Sequence, residues 1–142
     1  MLFRSPLRAS GGWIPELVRR AGGWDLLGAE GMEAPATSWS AIGAVDPELL
    51  VLAPGGMPAE AARRAWERLE RPAAAGTLRA VRSGAVHAID GGPFAHPGPR
   101  VIEAVAALAR LIDPDGFPEA DHELTVLRLT DGTSGRPDAE LP

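Results

Sequence analysis

The stretch Ala88–Ile112, AIDGGPFAHPGPRVIEAVAALARLI, decides how the chain is read. It opens as the end of an apolar run that starts at Val86 and stops at Asp90. A Gly/Pro-stiffened loop carrying Phe94 and His96 follows. Apolar residues then recur at Val101, Val105, Leu108 and Ile112, with Ile102 and Ala109 widening the stripe. A short continuous apolar run bounded by turn residues reads as a covered strand, and spacings of four, three and four place side chains on one helix face. Gly98-Pro99 opens that helix and Asp113-Pro114 stops it. The stretch therefore reads as strand, rigid loop, helix.

The same unit stands immediately upstream. In ELLVLAPGG, Leu49 to Ala53 is a continuous apolar run of the kind a strand covered on both faces requires. The next helix enters at Pro58 and runs to about Arg71. Ala62, Ala65, Trp66 and Leu69 form its buried stripe, with Glu60–Arg64 and Glu67–Arg71 as supporting pairs four residues apart. LRAVRSGAVHAID reads as two extended pieces around a turn at Ser83-Gly84. Nearer the N-terminus a helix begins about Ile14, with Pro15 in its first turn and Leu17, Val18 and Ala21 on one face. Gly22-Gly23 closes it. WDLLGAEG reads as a short strand, and Thr37 or Ser38 caps a helix over SWSAIGAV that ends at Asp46-Pro47. Leu124 to Leu129 is a strand candidate in the tail, and the final dozen residues read as frayed.

Helices separating strands predict an α/β fold with a mostly parallel sheet flanked by helices. Residues 1–114 make one domain and residues 115–142 a tail. In open sheets of this class ligands bind beyond the carboxyl ends of the strands. APGGMP and DGGPFAHPGP both fall on that rim.

Bulk properties exclude several functions. With 14 basic against 19 acidic residues and a net charge of -5, the chain has no cationic excess to neutralise phosphates, so no nucleic-acid partner is expected. Arg63, Arg64, Arg68 and Arg71 interleave with Glu60, Glu67 and Glu70 as a solvated helix face. There is no cysteine, which removes disulfides, thiolate ligands and a Cys nucleophile. His87, His96 and His122 sit on separate segments without metal-ligand spacing. No nucleophile elbow, P-loop or dinucleotide fingerprint occurs. No enzyme, catalytic residue, metal or cofactor is expected. The start, MLFRSPLRASGGW, lacks the apolar core of a signal peptide, so the chain as written reads as cytoplasmic.

Three segments taken in order, PLRASGGWIPELVRRAGG, SWSAIGAVDPELLVLAPGG and LRAVRSGAVHAIDGGPFAHPGPRVIEAVAALARLI, resemble the C-terminal lobe of cobalamin/siderophore-type solute-binding proteins. These are the extracytoplasmic partners of ABC importers, and the likeness spans about Ser5 to Pro114. It implies a three-layer lobe, one half of a two-lobed binding-protein fold, with its first strand truncated around Leu2 to Leu7. It also implies a periplasmic location, a cobalamin- or ferric-siderophore-like ligand and an ABC permease as partner. By this resemblance Trp13, Glu33, Gly55, Gly56, Phe94 and His96 are the candidate ligand-binding residues. The chain departs from the family in two places. Ala34-Pro35 replaces the aromatic common in cobalamin binders, and Ser40 stands where a docking carboxylate usually follows the Trp39 position. Glu33 is the substitute at hand. The alternative is an orphan interaction module without catalytic activity, self-associating through strand 124–129 or pairing with another subunit.

Overall fold

The computed structural model describes residues 7–117 and 124–129. In chain order its elements are β1 (Leu7–Arg8), β2 (Gly11–Gly12), α1 (Ile14–Arg20), β3 (Ala29–Glu30), β4 (Ala36–Thr37), α2 (Trp39–Val45) and β5 (Leu50–Leu52). There follow α3 (Ala59–Arg68), a 3-10 turn (Ala73–Thr77), α4 (Arg79–Arg82), β6 (Val86–Ile89), α5 (Gly92–Ala95), α6 (Val101–Ile112) and β7 (Val126–Arg128).

The chain is mixed α/β, and its sheets are small and mixed. β5 and β6 pair in parallel, with Leu50 opposite Val86 and Leu52 opposite Ala88. β7 adds antiparallel to the other side of β6, with His87 opposite Arg128 and Ile89 opposite Val126. Two further two-stranded ladders stand apart, β2 parallel to β3 and β1 antiparallel to β4.

Period-two alternation sends the side chains of the three-stranded sheet into two cores. Leu50, Leu52, Val86, Ala88, Leu127 and Leu129 join Ala59, Ala62, Trp66 and Ala80 from α3 and α4. Val51, Ala53, Ile89 and Val126 join Leu17, Phe94, Ala104 and Leu108 from α1, α5 and α6. Both faces are covered, which is why Leu49–Ala53 carries no polar residue. Fully buried alanines on α3 (Ala59, Ala62) and α6 (Ala104) let helix backbones lie close to the sheet.

Local signals place most helix ends. Ser38 has extended backbone and its Oγ accepts from the Ala41 N–H at 3.1 Å, so Ser38, and not Thr37, caps α2. Gly22 follows α1 at φ 95, the left-handed stop expected there.

Other expectations are corrected. Arg79–Arg82 is helical, not the first arm of a hairpin. Its N-terminus is held from a distance: the Asp46 carboxylate accepts from the Arg79 N–H at 2.9 Å, and the Arg79 guanidinium donates to the Asp46 carbonyl at 2.7 Å. Asp46 itself adopts φ 42 to make that reach. Of WDLLGAEG only Ala29–Glu30 is strand. Asp25 turns the segment by accepting from the Gly28 N–H at 2.8 Å and from the Ser10 hydroxyl, leaving Trp24 79% exposed. α3 stops at Arg68, short of Arg71, and the Arg71 guanidinium bonds the Trp66 carbonyl at 2.6 Å. Glu67 pairs with Arg63, and the expected Glu60–Arg64 pair is present at 3.9 Å. The loop after β6 is in part a helical turn, α5. Leu7 belongs to β1; Leu2 to Pro6, His122 and the final dozen residues lie outside the described residues.

Candidate ligand rim at the strand ends

The two segments singled out at the carboxyl ends of β5 and β6 are packed against each other. The Gly91 N–H donates to the Met57 carbonyl at 2.8 Å. A Cβ on Gly91 would lie 1.9 Å from the Pro54 carbonyl oxygen, so only glycine allows this approach. A Cβ on Gly55 would come within 4.0 Å of the Ala95 side chain. Gly56 completes the first loop at φ 71. Gly55, Gly56 and His96 are exposed together along this double loop.

Asp90 sets the position of the whole assembly. One of its carboxylate oxygens accepts from the Ala59 N–H at 2.9 Å, at the start of α3, where Pro58 offers no side-chain cap. The other accepts from the Thr125 N–H at 2.9 Å, just before β7. The Asp90 N–H in turn donates to the Thr125 carbonyl at 3.2 Å. A single carboxylate thus ties β6, the N-terminus of α3 and the tail strand together, with its charge at the positive end of the helix dipole. Sequence reasoning placed Asp90 at a strand end but gave it no role. The readable signal was a carboxylate closing an apolar strand in a fold whose next-door helix begins without a cap of its own. Asp90→Ala is expected to cost about 2 kcal/mol, since it removes a cap and leaves two backbone donors unpaired. The shift in urea midpoint measures it, and a change within about 0.5 kcal/mol would contradict the assignment.

The six candidate residues divide. Gly55, Gly56 and His96 share the rim. Phe94 does not present itself to ligand: it is 4% exposed and belongs to the core with Ile89 and Leu108. It lies in α5, a helical turn whose buried residues are Pro93 and Phe94. Trp13 is half-buried and packs its ring on the same core, so only part of it faces solvent. Glu33 stands in a different loop pair. Its side chain is 90% exposed and lies 3.6 Å from Arg8, and its loop is held to β2 by the Gly12 N–H donating to the Met32 carbonyl at 2.7 Å.

Among the described residues no group of three His, Asp or Glu side chains converges as a metal site. Asp90 spends both oxygens on backbone donors. An open depression of about 500 Å³ lies at the opposite end of the sheet, lined by Glu48, Arg79, Arg82 and Ser83. There Arg79 is already paired with Asp46 and Glu48. No described helix is long and apolar enough to cross a membrane. The chain matches no protein-family model, and no curated protein or solved structure matches it significantly.

Proposed function

We propose that the chain is the C-terminal lobe of a solute-binding protein of the cobalamin/siderophore type, serving an ABC importer outside the cytoplasm. On this reading β5 and β6 belong to the sheet of a three-layer lobe, and the ligand meets the double loop beyond their carboxyl ends. The observation that carries the reading is the locked contact between those loops, through Gly91, Met57 and Pro54, with Gly55, Gly56 and His96 each exposed on them. A preorganised rim of this kind loses little entropy on binding. Its reduced contact set is Gly55, Gly56, His96 and the outer edge of Trp13, with no catalytic group and no resident metal.

A one-sided rim binds weakly. A nanomolar site is worth about 12 kcal/mol, and half of its contacts leave about 6 kcal/mol, a dissociation constant in the tens of micromolar. Titrating the chain with cobalamin and with a ferric hydroxamate, followed by amide chemical shifts, is expected to move Gly55, Gly56 and His96 at high micromolar ligand. No shift at millimolar concentration of either ligand would sink the reading. A submicromolar constant would sink its one-sided geometry.

The alternative module without a ligand rests on a different feature. The tail strand is engaged with β6 of its own chain, so self-association through it would run along its outer edge or exchange it between copies. Light scattering at high micromolar concentration decides whether such a species exists.

A further inference from the structure

His87 occupies the middle of the central strand, with Val51 of β5 on one side and Arg128 of β7 on the other. Its Nδ1 is buried and has no hydrogen-bond partner. Alternation puts the ring on the face that Ile89 shares with α1 and α6. The described hydrophobic residues clustered on that face include Val51 of β5, Leu17 of α1, and Ala104 and Leu108 of α6. The charged residues of α6 are engaged or turned away, with Glu103 at 3.4 Å from Arg100 and Arg110 exposed. On α1, Arg19 pairs with Glu30 and Arg20 with Glu16. Among the described residues Arg128 is the charge that acts on His87, and it is of the sign a histidine cation would repel.

Arg128 also fastens β7. Its guanidinium donates to the Gly84 carbonyl at 2.6 Å and the Ser83 carbonyl at 3.2 Å, in the turn before β6. At the other end β7 is held by the Asp90 carboxylate on Thr125. Leu124 and Leu129 are buried beside these two fastenings.

We infer that His87 and Arg128 form a pH-sensitive latch for the tail strand: neutral His87 lets β7 dock on β6, and its protonation releases β7. A proton on Nδ1 would create a buried N–H donor with no acceptor, next to a guanidinium that cannot give up its own charge. Burial first, and Arg128 second, hold the His87 imidazole below its ordinary value of 6.5. The sign follows. With β7 undocked, His87 takes up the proton more readily, so docking is at full strength above about pH 6.5 and is lost as the pH falls through the depressed folded value.

The test is amide hydrogen exchange on the full chain between about pH 8 and about pH 5, corrected for intrinsic rates. Protection of Val126–Leu129 is expected to fall severalfold more than that of α6. His87→Gln should abolish that difference. If its fold suffers, Arg128→Gln should lower protection of β7 at both pH values and narrow the gap between them. Three outcomes overturn the latch: equal protection of β7 at both ends of the range, an acid response that survives in His87→Gln, or opening of α6 and β7 together.

Discussion

Gly91→Ala is expected to cost about 3 kcal/mol or more, the effect of one added methyl group. The new Cβ would sit 1.9 Å from the Pro54 carbonyl oxygen and 3.2 Å from that of Met57. Both obstacles are backbone, so no side chain can swing aside. Relief requires the two strand-end loops to part, which breaks the bond from the Gly91 N–H to Met57 and draws Gly55 away from Ala95. The change therefore strikes the fold and the proposed rim at once. Gly92→Ala is the control, because its Cβ would meet nothing within 4 Å. It sits in the turn of α5, where alanine should be neutral or stabilising by up to about 1 kcal/mol. Urea unfolding of the two variants side by side gives the answer. If Gly91→Ala proved as mild as Gly92→Ala, the loops would not be packed as described.

Trp66→Ala should cost about 3–5 kcal/mol, the range for removing a fully buried large aromatic. Trp66 is 3% exposed and meets the Trp39 ring edge-on at 6.2 Å between centroids, while the Arg71 guanidinium lies 4.2 Å over its face. Many of its core neighbours are Ala59, Ala62, Ala80 and Ala88, which have no side chain long enough to close the void. The cavity would stay open, which places the cost toward the upper end of that range. A fall in melting temperature of roughly 10 °C or more is expected. A drop of only a few degrees would mean that this core is loosely packed and can collapse. The Arg71 contact adds a second readout: Trp66→Phe keeps a ring under the guanidinium and should recover much of the loss.

Elements legible in the chain are those whose cause is local. The recurrence of Val101, Val105, Leu108 and Ile112 produced α6, which stops before Asp113 as read but starts at Val101, after Gly98-Pro99, and Ser38 caps α2 through a bond three residues long. The apolar runs at Leu49–Ala53 and Val86–Ile89 became the parallel pair β5–β6. The turns after β5 and β6 were legible too, because glycine and proline after a strand report a tight turn wherever they occur. Phe94 misled because a residue flanked by prolines carries no sign of whether its loop is extended or coiled into a turn.

What the sequence by itself determined is therefore the helical and extended periodicity, a cap of α2 at Thr37 or Ser38, and the positions of the turns. Only the tertiary structure decided that Arg79–Arg82 is helical, that β7 runs antiparallel on β6, that Asp90 joins three elements, and that His87 faces Arg128. In each of these the deciding partner lies more than thirty residues away, as with Asp46 and Arg79 or Asp90 and Thr125. A local pattern reports which conformations a segment tolerates. The choice among them was made by hydrogen bonds and charges that come within reach only after the sheet has closed.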